Sequence, residues 1–324
     1  MKRLNYEPND SAMVYIWALI LPLMLSVIIS MCAYGSPVDT DGTHLIFKET
    51  WFICMLRILS AGLLIGLFFV YNKTQKISGL TACGIKTKTH YLNIAFCVIL
   101  GIGLVYFSSP IITIITYLIS LTGINISTGI DLPLENGWDF MLSLLLIGVL
   151  PAVTEELIYR GMIFNGLKKW GKWPAILISA LAFCLMHGSV EQFTYTFLLG
   201  IVLGYLMWET GALWLCMIVH FTNNATVLTS MFISAQTGDT SSTLPTTIGG
   251  LDVAYALGMF LIAIGLVILI FYLMKKIKNK TKTTATIQTD SQNKLAIANS
   301  KQKDMIMLIV GFVIAIVFTI IQTL

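Results

Sequence analysis

Long apolar runs alternate with short polar breaks along the whole chain. Nine runs stand out, at about 12–34, 51–71, 91–119, 139–166, 173–188, 192–208, 212–235, 251–274 and 305–323. Crossing a bilayer as an α-helix takes about 20 apolar residues, and most of the runs come close to that length. The pattern predicts an all-α chain, a polytopic membrane helix bundle of about 8–9 transmembrane helices. The third run carries Ser108-Ser109-Pro110 and is expected to tilt or break there. The fifth and sixth are short and meet in a tight turn at 188–191.

Composition removes the soluble alternatives. Hydrophobic residues make up 56% of the chain and charged ones only 11%, against roughly 25% charged in an ordinary soluble domain. The first run exceeds the ~7–15 residues of a signal-peptide core and no small-residue cleavage site follows it, so it reads as a retained span. Five of the six cysteines lie in apolar runs and none forms a C-x-x-C pair; they read as small buried hydrophobes, not a disulfide framework.

The net charge of +4 says less than its placement. Lys73, Lys76, Lys86 and Lys88 follow the second run, Lys168, Lys169 and Lys172 the fourth, and Lys275, Lys276, Lys278, Lys280 and Lys282 the eighth, while 120–138 and 236–250 hold no Lys or Arg. This alternation fits a cytoplasmic amino terminus and an external carboxyl terminus. The 209–211 turn is the weak point, since it is assigned to the cytoplasmic side without a positive charge. Lysines confined to short loops and one tail give no nucleic-acid-binding surface. The expected setting is an integral protein of a bacterial plasma membrane. The chain divides into 1–138 (three helices and loops), 139–235 (core), 236–274 (eighth helix), 275–304 (a flexible Lys/Thr-rich linker) and 305–324 (a last helix).

Charges inside a bilayer cost about 2.5–3.5 kcal/mol each on insertion scales, so those present are used or paired. Most such residues fall between 155 and 224. Glu155 and Glu156 open a Glu-Glu-x-x-x-Arg segment. Glu156 and Arg160, four apart with the acid first, are set for a helical ion pair. Glu155, about 100° further round the helix, is left free. Pro151 removes a backbone donor one turn earlier and loosens the helix where water would need room. Phe183 and His187 share a face of the fifth run, and the ring is expected to pack on the imidazole. His220 and Asn224 share a face of the seventh. Measured along the helices from the loop near Gly171, Glu155 and His187 lie about 21–22 Å deep, and from the 209–211 turn His220 and Asn224 lie about 13–19 Å, so the groups can meet. Taken singly, a buried ion pair or a lone histidine is more often structural; three polar clusters at one depth argue for a site.

E-E-x-x-x-R, F-x-x-x-H and H-x-x-x-N on successive membrane helices resemble the CPBP family, also called the Abi or CAAX-protease family. The likeness covers about 150–226, including Arg160-Gly161, Gly200 to Gly204 and the run Thr210-Gly211-Ala212-Leu213-Trp214. It implies an intramembrane endopeptidase acting on a membrane-associated peptide or protein: a peptide signal, a bacteriocin or a prenyl-protein-like substrate. By the same resemblance Glu155 is the base that activates water, His187 helps hold that water, and His220 and Asn224 stabilise the oxyanion, with Glu156, Arg160 and Phe183 in support. Amide hydrolysis does need a base and donors where negative charge develops. Glu155, His187 and His220 could bind zinc with an open fourth position, though H-E-x-x-H is absent and a metal-free carboxylate works equally well; the cofactor stays open. The site's depth places it towards the outer half of the membrane, in tension with a cytosolic prenylated substrate. Two other readings are a non-catalytic scaffold of the same fold and, less favoured, a proton- or ion-coupled transporter; confinement of the polar groups to one depth and the lack of an inverted repeat count against the latter.

Overall fold

A computed structural model describes residues 2–34, 36–37, 46, 49–123, 134–238, 248–281 and 296–323. Among them nine long helices fall on the nine apolar runs: α1 (Pro8–Ala33), α2 (Thr50–Thr74), α3 (Leu92–Ser120), α4 (Gly137–Trp170), α5 (Lys172–Met186), α6 (Val190–Thr210), α7 (Leu213–Thr237), α8 (Gly250–Thr281) and α9 (Ala296–Thr323). Extended pairing among the described residues is limited to an isolated bridge between Arg3 and Ile77. Six helices, α1, α2, α3, α4, α7 and α8, are long and apolar enough to cross a membrane, and α5 and the Asp304–Val317 part of α9 are shorter apolar helices. The chain is therefore an all-α polytopic bundle. Much of the 35–49, 120–138 and 236–250 loops, and residues 282–295 of the expected linker, lie outside the described residues.

The burial pattern is that of a protein solvated by lipid. Large apolar side chains such as Leu261 and Ile268 are 67% and 64% exposed, a surface that water would penalise and hydrocarbon does not. α4 lies innermost: its most apolar stretch is 44% buried, against 17–28% for the other five membrane-length helices. α3 does not break at its proline but runs unbroken from Leu92 to Ser120. Pro110 deletes one donor, yet in hydrocarbon the remaining backbone groups have no water to turn to, so the helix continues.

Side chains fix the ends of these helices. Asn136 Oδ1 accepts from the Trp138 and Asp139 amides at 2.9 and 3.1 Å and starts α4; Ser189 Oγ accepts from the Gln192 amide at 3.3 Å and starts α6. Asp10 ties the amino terminus to α2, accepting from Tyr71 at 2.8 Å and Arg3 at 3.1 Å. Two close approaches position the core. A Cβ at Gly166 would lie 2.1 Å from Ser11 Oγ, so α1 crosses α4 there, and a Cβ at Gly200 would lie 2.9 Å from Ala180, so α5 and α6 pack with backbones nearly touching. α9 lies on α1, Phe312 meeting Tyr15 edge-on at 5.2 Å.

The loops read as cytoplasmic from their lysines gather at one end of the bundle. The Arg3 amide donates to Lys76 O, the Leu213 amide to Gly84 O, and Trp214 Nε1 to Thr87 O. Lys169 pairs with Glu7. Lys172 reaches Glu209 at 2.7 Å and Lys278 donates to the Glu209 carbonyl at 2.6 Å. The 209–212 turn, without a lysine of its own, is thus held by two lysines from other loops. Gln236 bonds the carbonyls of Leu134 and Glu135 among the loops without lysine.

Candidate active site

α4 is not a uniform α-helix. Two wide turns with i→i+5 bonding, Leu144–Val149 and Leu157–Ile163, flank a regular stretch, Leu150–Glu156. Such turns often accompany functional sites because they rotate the following side chains. In α-helical spacing the Ile147 carbonyl would pair with the N–H of residue 151, which is proline and has none. Asn224 of α7 donates to it instead, Nδ2 to O 2.9 Å. At the second wide turn, Asn165 Nδ2 donates to the carbonyls of Arg160 and Gly161, and Ser11 Oγ to that of Ile163.

The two carboxylates between these turns have different surroundings. Glu156 is fully buried and pairs with equally buried Arg160, Oε1 to Nη1 2.9 Å. The same Oε1 lies 2.9 Å from His220 Nδ1. Arg160 also donates to the Gly200 carbonyl at 3.4 Å and lies 4.3 Å over the Phe183 ring, so its charge is spread over a carboxylate, a carbonyl and an aromatic face. Glu155 makes no hydrogen bond to the described residues. Its side chain is 15% exposed, and its Oε2, buried and without a hydrogen-bond partner, lies 3.9 Å from His220 Nε2.

The histidine tautomers follow from their partners. His187 Nδ1 lies 3.0 Å from the Phe183 carbonyl, which can only accept. Nδ1 therefore carries the hydrogen, and in the neutral ring Nε2 is left as an acceptor. His220 Nδ1 faces a carboxylate and by the same reasoning donates to it, which turns Nε2 towards Glu155. Phe183 packs edge-on against His187 at 4.9 Å, His220 at 5.7 Å and Tyr159 at 5.4 Å. It is the ring around which the site is built.

Glu155, Glu156, Arg160, Phe183, His187 and His220 thus converge from α4, α5 and α7. Asn224 does not join the carboxylates directly: it meets α4 at Ile147, about 12 Å along the helix from Glu155. Two residues were missed by the sequence reasoning. Asn223, 1% exposed, donates to the Tyr195 hydroxyl of α6. Its spacing of three from His220 puts it on the same side of α7, a signal outside the i,i+4 pattern that pairs His220 with Asn224. Among the described residues no three His, Cys, Asp or Glu side chains come together as a metal-ligating group. Glu155, His187 and His220 do not fit an ion as placed.

Residues 137–226 match the family model for the type II CAAX prenyl endopeptidase Rce1-like proteins. This core is that of the CPBP, or CAAX-protease-like, family. The matched segment begins with α4 and ends just past Asn224, so it contains every residue of the converged site. CAAX-protease-like proteins are peptidases, and the chain is an intramembrane endopeptidase of that general type. Comparison with curated proteins and with solved structures finds no match.

Proposed function

We propose that the chain hydrolyses a peptide bond of a membrane-associated peptide or protein with a water activated by Glu155. The observation that carries the reading is the asymmetry of the two acids. Glu156 is held by both Arg160 and His220, whereas Glu155 accepts no hydrogen bond among the described residues. A carboxylate kept in a low-dielectric site without donors is free to take a proton.

Water gives one proton to Glu155 as its oxygen bonds to the scissile carbonyl carbon. His187 Nε2 accepts the second hydrogen of that water and orients it. The carbonyl π pair moves to oxygen, and His220 supports the oxyanion. Asn224 adds the N–H that Ile147 does not use, once substrate fills the space. The C–N bond then breaks, and Glu155 passes its proton to the leaving amine. The buried Glu156–Arg160 pair holds His220 in register. No metal is required for any step. The substrates that suit such a site are peptide signals, bacteriocins or prenyl-protein-like peptides of a bacterial plasma membrane, with the amino terminus of the chain in the cytoplasm.

The test compares wild type with Glu155→Gln and His220→Ala in cells, by quantitative mass spectrometry of membrane-associated and secreted peptides at matched protein levels. Specific peptides should vanish in both variants. If the peptides are unchanged and only complete deletion has a phenotype, the site is idle and a scaffold of the same fold takes its place.

A further inference from the structure

A cavity that none of Glu155, Glu156, His187 and His220 lines opens at the lysine-rich end of the bundle. It measures about 400 Å³ and lies between the loop before α3, the end of α6 and the end of α8. Lys88, His90, Lys275 and Lys278 line it, with Thr89 and Asn93. The acid at its wall, Glu209, is already neutralised by Lys172 at 2.7 Å. Among the described residues Lys88 and Lys275 enter no ion pair, so the cavity keeps an excess of positive charge. Thr89 Oγ1 and Asn93 Oδ1 are buried without hydrogen-bond partners. Buried polar atoms are seldom left unmet in a finished structure, and unmet ones lining a basic cavity mark a place for a polar ligand.

The neighbouring groove fixes what the rest of that ligand must be. A second space of about 340 Å³ is lined by Trp173, Ile201, Tyr205, Val267 and Phe271 and shares Glu209, Phe271 and Lys275 with the first. It runs along α6 and α8 towards the membrane face. A basic, hydrogen-bonding cavity that shares its wall with an apolar groove at the end of a membrane bundle matches a molecule with an anionic head and a hydrocarbon tail.

We propose that this composite cavity binds an anionic glycerophospholipid, its phosphate held by Lys88 and Lys275 with Thr89 and Asn93, and one acyl chain lying in the groove beside Trp173. A soluble phosphate would leave the groove empty, and an acidic peptide would have no use for it. Occupancy fastens α8 to the 84–91 loop and to the 209–212 turn that leads into α7. Basic pockets between membrane helices recognise lipid head groups by this chemistry.

The test uses the purified full chain in vesicles containing phosphatidylglycerol or phosphatidylcholine with brominated acyl chains, which quench nearby tryptophan. Quenching that disappears in Trp173→Phe reports the groove. Phosphatidylglycerol should quench Trp173 at far lower mole fraction than phosphatidylcholine. Lys88→Gln with Lys275→Gln should weaken this preference roughly 10- to 30-fold, at about 1 kcal/mol per lysine, while the matching double arginine variant keeps it. Thr89→Val, which leaves every charge in place, should weaken it by several-fold. The proposal is overturned if the two lipids quench equally, if the double glutamine variant keeps the preference, or if inorganic phosphate or a soluble acidic peptide abolishes the quenching difference at the same concentrations as lipid.

Discussion

Two adjacent acids in α4 do different work because adjacent residues on a helix face different neighbours. That much was legible in the sequence: a spacing of four predicted the Glu156–Arg160 pair, and the structure has it at 2.9 Å. The second partner of Glu156 was not legible. Helical spacing tells which residues share a face of one helix, but not which face of α7 turns towards α4, so His220 was assigned to the oxyanion without its anchor. The geometry now separates two predictions. Glu155→Gln removes the base and leaves no group stranded, so activity should fall by about 10²–10⁴-fold while the thermal unfolding midpoint stays near that of wild type. Glu156→Gln leaves Arg160 buried with a neutral amide and takes a strong acceptor from His220 Nδ1. Breaking a buried pair from one side costs about 3–5 kcal/mol, so this variant should unfold at clearly lower temperature in detergent. An unfolding midpoint equal to wild type for Glu156→Gln would mean that Arg160 finds its charge balance elsewhere.

At the level of the helix, Pro151 and Asn224 form one device. The sequence indicated that Pro151 loosens α4, and it placed Asn224 on the His220 face of α7. It could not show that the donor missing at residue 151 is replaced from α7, because that depends on the register between two helices 64 or more residues apart along the chain. Asn224→Ala should leave the Ile147 carbonyl unmet at a cost of about 1–3 kcal/mol. Adding Pro151→Ala restores a backbone N–H at that place and should recover part of the lost stability. The informative readout is activity in the double variant. If stability returns and hydrolysis does not, Asn224 serves the reaction beyond its bond to Ile147. If both return, Asn224 is a structural replacement for the absent donor and His220 alone meets the oxyanion.

For the whole molecule, the apolar runs located all nine helices, because in hydrocarbon a helix is the one local way to satisfy a single segment's backbone. The loop charges also grouped the ends correctly: Arg3, the 76–87 loop, the 168–172 turn and Lys278 are linked at one end. Grouping is not orientation, and orientation decides which substrates can reach the site. The chain carries its own probe. Cys32, at the end of α1 away from Arg3, is the one exposed cysteine among six free ones. With the lysine-rich end in the cytoplasm, a membrane-impermeant maleimide should label Cys32 in intact cells. In a Cys32→Ser background, Lys76→Cys should label only after permeabilisation. Glu155 would then lie in the outer half of the membrane, and its substrates would be peptides that leave the cell or enter the site sideways from the bilayer. The reverse labelling would place the same carboxylate in the cytosolic half, within reach of a lipid-modified protein made in the cytoplasm, and would show that the five lysines at 275–282 do not set the direction of insertion.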